Sequence, residues 1–267
     1  MQTIIFGGGR LGAAIAACLR DRGEPEPWIV GRADAVRGVR RLRTIDGQAR
    51  GVPPADVAFE SSRGDAVAAN VAAGLAAGSR RFVIATTGWA ADRAEVEDLL
   101  ERRGASAVAA SNFSLGVNLF GRLVDRAVEL FGPLADYDPY VLEWHRAAKA
   151  DRPSGTAQEL SRRIVAAHPR KHRVADPQRD GPAEPDALEV AVVRAGASPG
   201  MHVVGFDAPG ETMELRLTAR DRSPYAAGAL AAADWLCRAS RRPGIHEFDE
   251  VVDDLLASAR PQLAAVR

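Results

Sequence analysis

The sequence predicts an α/β protein in which a doubly wound parallel sheet is joined to a second, α+β domain with a mostly antiparallel sheet. Three observations lead to this fold class. Short apolar strands alternate with helix-period segments up to about residue 112, and a glycine-rich turn follows the first strand. Further along, residues 211–219 alternate apolar and polar side chains, which is typical of a sheet that packs one face on helices.

The individual elements follow from the apolar patterning. In the first part, the predicted strands are residues 4–6, 27–30, 56–59, 81–85 and 107–110, and the predicted helices follow the glycine-rich turn and cover residues 64–77 and 93–103. In the second part, the predicted helices are residues 118–131, a segment from 153 to about 168, and residues 223–238. The predicted strands there are residues 140–142, 188–194, 202–206 and 211–219, with a loop at 169–185 and a hairpin turn at 208–210.

The glycine-rich turn has the spacing of a dinucleotide-binding fingerprint. Gly7, Gly9 and Gly12 form G-x-G-x-x-G between an apolar strand and an alanine-rich helix. In this context the first glycine makes the turn, the second admits a pyrophosphate, and the third lets helix and strand pack closely. The pattern predicts a Rossmann-type nucleotide site.

The end of the second strand predicts which nicotinamide cofactor binds. An NAD enzyme usually places an acidic residue here against the ribose 2′-hydroxyl, whereas this chain has Gly31-Arg32. Arg32 favours NADPH, because a guanidinium pairs well with a phosphate. Two alternatives stay open, namely Arg32 as a solvated loop cation and the use of NADH through Asp34.

The loop between the strand at 140–142 and the following helix carries two candidates for proton chemistry. His145 can hold or give a proton near neutrality, and Lys149, four residues on, supplies a fixed positive charge or an acid. Loops that join a strand to a helix commonly carry functional sites. The sequence therefore predicts that this loop delivers protons.

The helix that follows Pro153 begins with Ser154, Gly155 and Thr156. The first N–H groups of a helix have no partner within it and, with the helix dipole, attract a carboxylate or phosphate. The predicted ligand is therefore anionic. The alternative is that Ser154 or Thr156 is only a helix cap and that the residues before it are ordinary surface or packed residues.

Composition excludes several classes of partner. The chain of 267 residues has 35 basic and 35 acidic side chains, so no global field favours nucleic acid or an anionic membrane. Cys18 and Cys237 show no spacing for a metal site or a disulfide framework, and Pro169 between His168 and His172 argues against a helical metal site. No apolar run reaches a membrane span of roughly 18 residues. The expected location is the cytoplasm, with no bound metal.

Several runs along the chain are informative when they are taken together. They are Gly9-Arg10-Leu11-Gly12, Ala85-Thr86-Thr87-Gly88, Asn112-Phe113-Ser114-Leu115-Gly116-Val117-Asn118, Glu143-x-His145, Lys149-x-Asp151-x-Pro153-Ser154-Gly155-Thr156, and Val193-Arg194-Ala195-Gly196 through His202. In this order they resemble the 4-hydroxy-tetrahydrodipicolinate reductase family, also called dihydrodipicolinate reductase. The resemblance covers nearly the whole chain.

The resemblance implies an activity and a set of site residues. The activity is the NAD(P)H-dependent reduction of 4-hydroxy-tetrahydrodipicolinate to tetrahydrodipicolinate in lysine and diaminopimelate biosynthesis, with hydride transfer to C4 and loss of the hydroxyl as water. His145 is implied as proton donor or acceptor and Lys149 as the second proton donor. Together with the residue patterns above, the resemblance gives Arg146, Ser154, Gly155 and Thr156 as predicted substrate-binding residues. The predicted cofactor-binding residues are Gly7, Gly8, Gly9, Arg10, Leu11, Gly12, Arg32, Ala85, Thr86, Thr87, Ala110, Ser111, Asn112 and Phe113.

The resemblance also implies an assembly, a homotetramer in which the sheets of the second domain meet. Residues 1–112 and 225–267 are then the dinucleotide-binding domain, and residues 113–224 serve substrate binding and oligomerisation. One departure bears on the substrate, because the family has two adjacent histidines where this chain has His145-Arg146. Arginine can bind a carboxylate with two parallel hydrogen bonds but does not titrate as histidine does. Two alternative functions therefore stay open: a paralogous reductase of another cyclic imine or unsaturated acid, and a non-catalytic nucleotide-sensing protein.

Overall fold

The computed structural model describes residues 1–31, 40–42, 44–45, 48–49, 51–178 and 180–264, with the backbone alone for 40–49 and 260–264. The predictions for Arg32 and Asp34 lie outside the described residues. The chain divides into two compact units. The first unit comprises Met1–Leu115 and Arg222–Arg267, and the second comprises Gly116–Asp221.

The described elements are as follows in chain order. The strands are β1 (Thr3–Phe6), β2 (Trp28–Val30), β3 (Arg40–Leu42), β4 (Thr44–Ile45), β5 (Gln48–Ala49), β6 (Val57–Glu60), β7 (Arg81–Ile84), β8 (Ser106–Ala109), β9 (Asp138–His145), β10 (Arg173–Val174), β11 (Ala187–Arg194), β12 (Met201–Ala208), β13 (Glu211–Thr218) and β14 (Gly244–Glu247). The helices are α1 (Arg10–Asp21), α2 (Val67–Ala76), α3 (Arg93–Arg102), α4 (Leu115–Phe131), α5 (Gly155–Ala167), α6 (Ser223–Arg238) and α7 (Phe248–Ala264). Short 3₁₀ turns precede α2 and α3, at Gly64–Ala66 and Ala90–Asp92.

The first unit is built on a seven-stranded parallel sheet in the order β14-β8-β7-β6-β1-β2-β3. Its central strands β1, β6 and β7 are short, mainly apolar and almost entirely buried, which is the pattern of a sheet covered by helices on each side. Phe82 at the sheet centre is 1% exposed. Burial of a phenylalanine side chain stabilises a fold by roughly 1.5–3 kcal/mol. The predicted doubly wound parallel sheet is confirmed.

Strand β14 was not predicted. Only Ile245 among its four residues is a large apolar side chain, so the segment carries no strand periodicity of its own. It becomes a strand because it pairs in parallel with β8 at the sheet edge, which is a tertiary effect. After α6 the chain thus adds one more strand to the first sheet.

The second unit contains a five-stranded sheet in the order β10-β11-β9-β12-β13. The α+β architecture is confirmed, but the pairing is mixed rather than mostly antiparallel. Strand β11 runs parallel to β9 and β10, while β12 runs antiparallel to β9 and β13. The reason is that α5 connects β9 with β11 as a crossover, and such a connection brings two strands side by side in the same direction. The predicted loop at 169–185 also contains the short strand β10.

The alternating pattern of β13 predicted that one face of the strand packs on helices, and this is what the structure shows. Met213, Leu215 and Leu217 are half-buried and pack on a core that α4 and α5 share with the sheet, while their neighbours along the strand are exposed. Within the part of the chain that the structure describes, no helix combines the length and apolarity needed to cross a membrane.

Candidate active site

The glycine-rich turn between β1 and α1 fits a bound dinucleotide. Gly7 has φ +105°, and a Cβ added there would lie 2.5 Å from the carbonyl oxygen of Ser61. A Cβ added to Gly12 would lie 2.0 Å from the carbonyl oxygen of Gly7, so the third glycine allows helix and strand to touch. A Cβ added to Gly9 would meet nothing within 4 Å, which is the open approach that a pyrophosphate needs at a helix start.

A cavity of about 220 Å³ opens at the carboxyl ends of β7 and β8 in the same unit. The predicted cofactor residues Thr86, Thr87, Ala110 and Ser111 are among those that line it. Ligands of doubly wound sheets bind at this end of the strands, so the cavity is where a nicotinamide ring is expected. The remaining lining residues are Gly88, Trp89, Ala90, Arg93, Ala109 and Glu247.

A buried carboxyl group supports the loops beside this cavity, and the sequence did not predict it. Glu60, at the end of β6, accepts hydrogen bonds from the Ser62 backbone N–H (2.8 Å), Asn70 Nδ2 (2.8 Å) and Thr86 Oγ1 (2.9 Å). Burial raises the pKa of Glu60, and these hydrogen bonds act in the opposite direction. The group ties the ends of β6 and β7 together, which positions Thr86.

In the second unit, strand pairing brings four polar side chains together. Glu143 and His145 lie two residues apart on β9 and therefore point to the same face of the sheet. On one side, Arg194 of β11 pairs with His145, and on the other side His202 of β12 pairs with Glu143. Glu143, His145 and His202 are buried, and the Arg194 side chain is only 7% exposed.

Glu143 is the centre of this cluster. Its Oε1 accepts hydrogen bonds from Arg194 Nη2 (2.7 Å) and from the Ser154 backbone N–H (2.9 Å). Its Oε2 lies 3.3 Å from His145 Nδ1 and 3.6 Å from His202 Nε2. The carboxylate therefore joins the end of β9 to the start of α5 and to both neighbouring strands.

The protonation states of the cluster follow from burial and charge. Burial would raise the pKa of Glu143, but the polar contacts with His202, Ser154 and Arg194 outweigh it and hold that pKa well below its usual range. Burial lowers the pKa of His145 to about 4; Glu143 opposes this shift, while His202, Lys149 and Arg194 add to it. At neutral pH, Glu143 is an anion and His145 a neutral imidazole.

Three side chains of the cluster, Glu143, His145 and His202, are of types that can bind a metal ion. One possible ligand atom from each lies within 4.8 Å of the other two. The carboxylate, however, already has its charge balanced by the guanidinium of Arg194 at 2.7 Å. Arg194 and the Ser154 N–H satisfy one oxygen of this carboxylate, whereas Glu143 Oε2 and His145 Nδ1 are buried without a hydrogen-bond partner among the described residues.

Lys149 lies on the loop after β9 with its side chain 22% exposed. Its ammonium contacts Asp151 at 2.7–2.8 Å, and this contact lowers the pKa of the Asp151 carboxyl group. The ion pair limits where the ammonium can point. Lys149 is therefore the cation nearest to His145 along the chain that is suited to giving a proton.

At the start of α5, Ser154 has a structural role, whereas Gly155 is open to solvent. Ser154 is the N-cap, because its hydroxyl accepts the Ala157 N–H at 3.2 Å, and it is 2% exposed. Gly155 is exposed, Thr156 is half-buried, and a Cβ added to Gly155 would meet nothing within 4 Å. Ser154 therefore fixes the helix start, and the space beside Gly155 is open.

The turn at residues 146–148 follows directly. The Arg146 backbone N–H donates to the Ser198 carbonyl oxygen at 2.7 Å, and the Ala147 N–H donates to the Gly196 carbonyl oxygen at 3.1 Å. The loop between β11 and β12 thus holds the turn, and the half-buried side chain of Arg146 extends from it. Ala147 and Ala148 are exposed.

Sequence reasoning named His145, Lys149, Arg146 and the start of α5 but assigned no role to Glu143, Arg194 or His202. The spacing Glu143-x-His145 was a usable signal, because residues two apart on a strand share a face. The contributions of Arg194 and His202 depend on which strands pair and in which register, and a single sequence does not show that.

Comparison with known proteins gives consistent matches. A family model described as dihydrodipicolinate reductase, C-terminus, matches residues 116–252. The 4-hydroxy-tetrahydrodipicolinate reductase of Methanosarcina barkeri is 33% identical over 220 residues, which cover 81% of this chain and 79% of that protein. The enzyme of the same name from Methanosarcina mazei is 36% identical over 197 residues, covering 73% of this chain and 71% of that protein.

Solved structures share the fold at lower identity. A dipicolinate-bound dihydrodipicolinate reductase from Paenisporosarcina sp. TG-14 superposes with a TM-score of 0.70 and 18% identity, covering 92% of this chain and 97% of the other. A probable dehydrogenase from Thermotoga maritima gives a TM-score of 0.57 and 13% identity, covering 100% of this chain and 98% of the other.

The matched relatives are reductases, and the first unit has the glycine turn and strand-end cavity of a nicotinamide-dependent enzyme. The protein is therefore an NAD(P)H-dependent oxidoreductase, and the non-catalytic alternative is wrong. The family that the sequence motifs indicated is confirmed by the identity over 81% of the chain and by the family model. The chain belongs to the 4-hydroxy-tetrahydrodipicolinate reductase family.

Proposed function

We propose that the protein reduces 4-hydroxy-tetrahydrodipicolinate to tetrahydrodipicolinate in lysine and diaminopimelate biosynthesis. The observation that carries the proposal is the grouping, within one unit, of a buried imidazole at His145, an ammonium at Lys149 and an open helix start at Gly155. The names of the relatives support the reaction, and the dipicolinate-bound structural neighbour supports a small cyclic dicarboxylate as ligand.

The first unit is proposed to hold the cofactor. The open backbone beside Gly9 and the N-terminus of α1 suit a pyrophosphate, and Thr86, Thr87 and Ser111 line the cavity proposed for the nicotinamide. The bound cofactor supplies the hydride for C4 of the substrate. The remaining predicted cofactor residues at the turn and strand ends, among them Gly8, Arg10, Leu11, Ala85, Asn112 and Phe113, are proposed to shape these two sites.

The second unit is proposed to move the proton. Loss of the 4-hydroxyl group as water requires a proton, and the ammonium of Lys149 is suited to supply it. His145, neutral at pH 7, is suited to accept a hydrogen bond or a proton from the reacting ring rather than to donate one. Arg146 and the N–H groups of Gly155 and Thr156 are proposed to bind the substrate carboxylates.

A second candidate function rests on Arg146. Because the family has a histidine at this position, the larger and permanently charged arginine alters the site at the point proposed to contact a carboxylate. The alternative is a paralogous reductase in a specialised pathway that acts on a different cyclic imine or unsaturated acid.

The deciding experiment is NADPH oxidation by the purified protein with the lysine-pathway intermediate generated in situ. The proposal expects turnover that depends on the intermediate, with tetrahydrodipicolinate as product. Absence of turnover, while NADPH binding is retained and other cyclic imines are reduced, would establish the paralogue instead.

The cofactor preference is a separate prediction from the sequence, since Arg32 lies outside the described residues. We expect NADPH to bind more tightly than NADH by about 1 to 3 kcal/mol, the usual contribution of a charge-assisted phosphate contact. Titration of both cofactors against the wild type and Arg32→Ala measures it. An equal affinity in the wild type, or a preference that survives in the variant, shows that Arg32 does not select the cofactor.

Assembly as a homotetramer, in the cytoplasm, is also proposed. On β13 the row that includes Glu214 and Arg216 is exposed, opposite the row that packs on the helices. On β9, Trp144 is 39% exposed, which is unusual for so large an apolar side chain. We expect light scattering at micromolar concentration to give the mass of four chains of 28.4 kDa. A monomer at that concentration would contradict the assembly.

A further inference from the structure

We infer that Glu143 is a positioning residue that fixes His145 as a neutral imidazole with its proton on Nδ1, which leaves Nε2 as the atom that takes part in the reaction. The inference rests on the proposed function for the role of His145, but the protonation pattern itself is a property of the free protein.

The first step is the orientation of the carboxylate. Its Oε1 is held by two groups that can only donate, the guanidinium of Arg194 and the backbone N–H of Ser154. Both bonds are shorter than 3 Å, and the two donors come from different parts of the chain. Together they fix the orientation of the carboxylate. The second oxygen, Oε2, is thereby directed toward the imidazole of His145.

The contact with Glu143 determines which nitrogen of His145 carries the proton. His145 Nδ1 and Glu143 Oε2 are both buried, neither has another hydrogen-bond partner among the described residues, and they lie 3.3 Å apart. An ionised carboxylate only accepts hydrogen bonds, so the contact is favourable only if Nδ1 carries a proton. A neutral imidazole has a single N–H, and Nε2 is therefore the unprotonated acceptor. Burial together with the cations Lys149 and Arg194 disfavours a second proton on the ring.

The third step concerns access to Nε2. Gly200, which precedes β12, has φ +151°, and a Cβ added there would lie 2.9 Å from His145 Nε2 and 3.1 Å from Cδ2. Any side chain at this position would fill the space beside Nε2. Glycine leaves that space available to a ligand atom.

His202 faces the same oxygen from the other side, which makes it a competitor for the carboxylate. Its Nε2 lies 3.6 Å from Glu143 Oε2 and 3.2 Å from Ser154 Oγ, so it has a second, nearer partner. The two rings pack edge to face with centroids 5.1 Å apart. His145 thus has the shorter contact with Oε2, while His202 is shared with the N-cap of α5.

The test uses Glu143→Gln, which keeps the shape and reverses one hydrogen bond. Arg194 and the Ser154 N–H will hold the carbonyl oxygen of the glutamine, because neither can accept a hydrogen bond. The amide NH₂ then faces His145 Nδ1, which must become an acceptor. We expect the proton of His145 to move to Nε2.

The primary measurement is a long-range ¹H–¹⁵N correlation spectrum of ¹⁵N-histidine-labelled protein, without substrate, at pH 7. The His145→Gln spectrum identifies the His145 signals among the five histidines. We expect the wild type and Glu143→Asp to carry the proton on Nδ1 and Glu143→Gln on Nε2. A wild-type His145 that is protonated on Nε2 or on both nitrogens overturns the inference, and this result requires no variant of Glu143.

The second measurement separates positioning from packing. We expect Glu143→Gln to lower kcat by about 10²- to 10⁴-fold, as for loss of a general acid–base group, with KM and NADPH affinity much less affected. The kcat of Glu143→Asp should be at least about tenfold higher than that of Glu143→Gln, because aspartate again offers only hydrogen-bond acceptors to His145. A Glu143→Gln protein with an unchanged tautomer or unchanged kcat contradicts the inference. If the wild type shows the Nδ1–H tautomer but does not reduce the proposed substrate, the proposed function fails and the inference about the tautomer stands.

Discussion

Replacement of either Lys149 or His145 by alanine is expected to lower kcat by about 10²- to 10⁴-fold, the range for loss of a general acid or base. The ammonium of Lys149 is held by Asp151, and the imidazole of His145 is buried against Glu143, so each group is in place before a substrate arrives. Their loss removes a proton transfer that occurs only in the transition state. The effect therefore falls on kcat and not on KM.

Cofactor affinity provides the internal control for these two variants. The glycine-rich turn belongs to the other compact unit, so NADPH should bind to both variants nearly as tightly as to the wild type. Arg126→Ala is a matched surface control, because it removes an exposed cation of the same unit that pairs only with Glu129 among the described residues. If Lys149→Ala and His145→Ala both keep near wild-type kcat on the true substrate, the proposed site is wrong even though the fold is right.

A different kinetic pattern is expected for the residues assigned to the carboxylates. We expect Arg146→Ala to raise KM by about 10- to 100-fold, the effect of losing a charge-assisted hydrogen bond of roughly 1.5–3 kcal/mol, with a much smaller change in kcat. Thr156→Val should act in the same direction and less strongly. These contacts contribute similarly in the ground state and the transition state, and such uniform binding acts on KM.

Arg152→Ala is the control for Arg146→Ala, because it removes the same charge from the same loop. The Arg152 guanidinium is exposed and donates to the Val192 carbonyl oxygen at 2.9 Å, so it is already engaged within the protein. Steady-state kinetics of the two variants, with stopped-flow measurement of substrate binding, distinguish the roles. Equal effects of the two substitutions would mean that Arg146 acts only through its positive charge and not through a specific contact with the carboxylate.

Much of the fold was visible in the sequence because it depends on local patterns. The apolar runs of β1 and β7, the G-x-G-x-x-G turn and the capped start of α5 are each specified by neighbouring residues. Strand β14 and the parallel pairing of β11 were missed, because both are decided by which distant segment supplies the partner strand.

The candidate site shows the same division. His145 and Lys149 could be identified from chemistry and spacing on one loop. Arg194 and His202 join Glu143 only because β11 and β12 lie on either side of β9 in a particular register. The protonation state of His145 depends on that arrangement and on burial, so it was accessible only from the structure.

The register of the mixed sheet has a consequence for how this enzyme can change over evolution. Glu143 and His145 are fixed by pairing with two neighbouring strands, whereas residues 146–148 form a turn held mainly through its backbone. Substitutions in the turn can therefore alter the proposed carboxylate contact while Glu143 and His145 keep their geometry. If Arg146 binds the substrate as proposed, a lineage can change its ligand at this turn without first displacing His145.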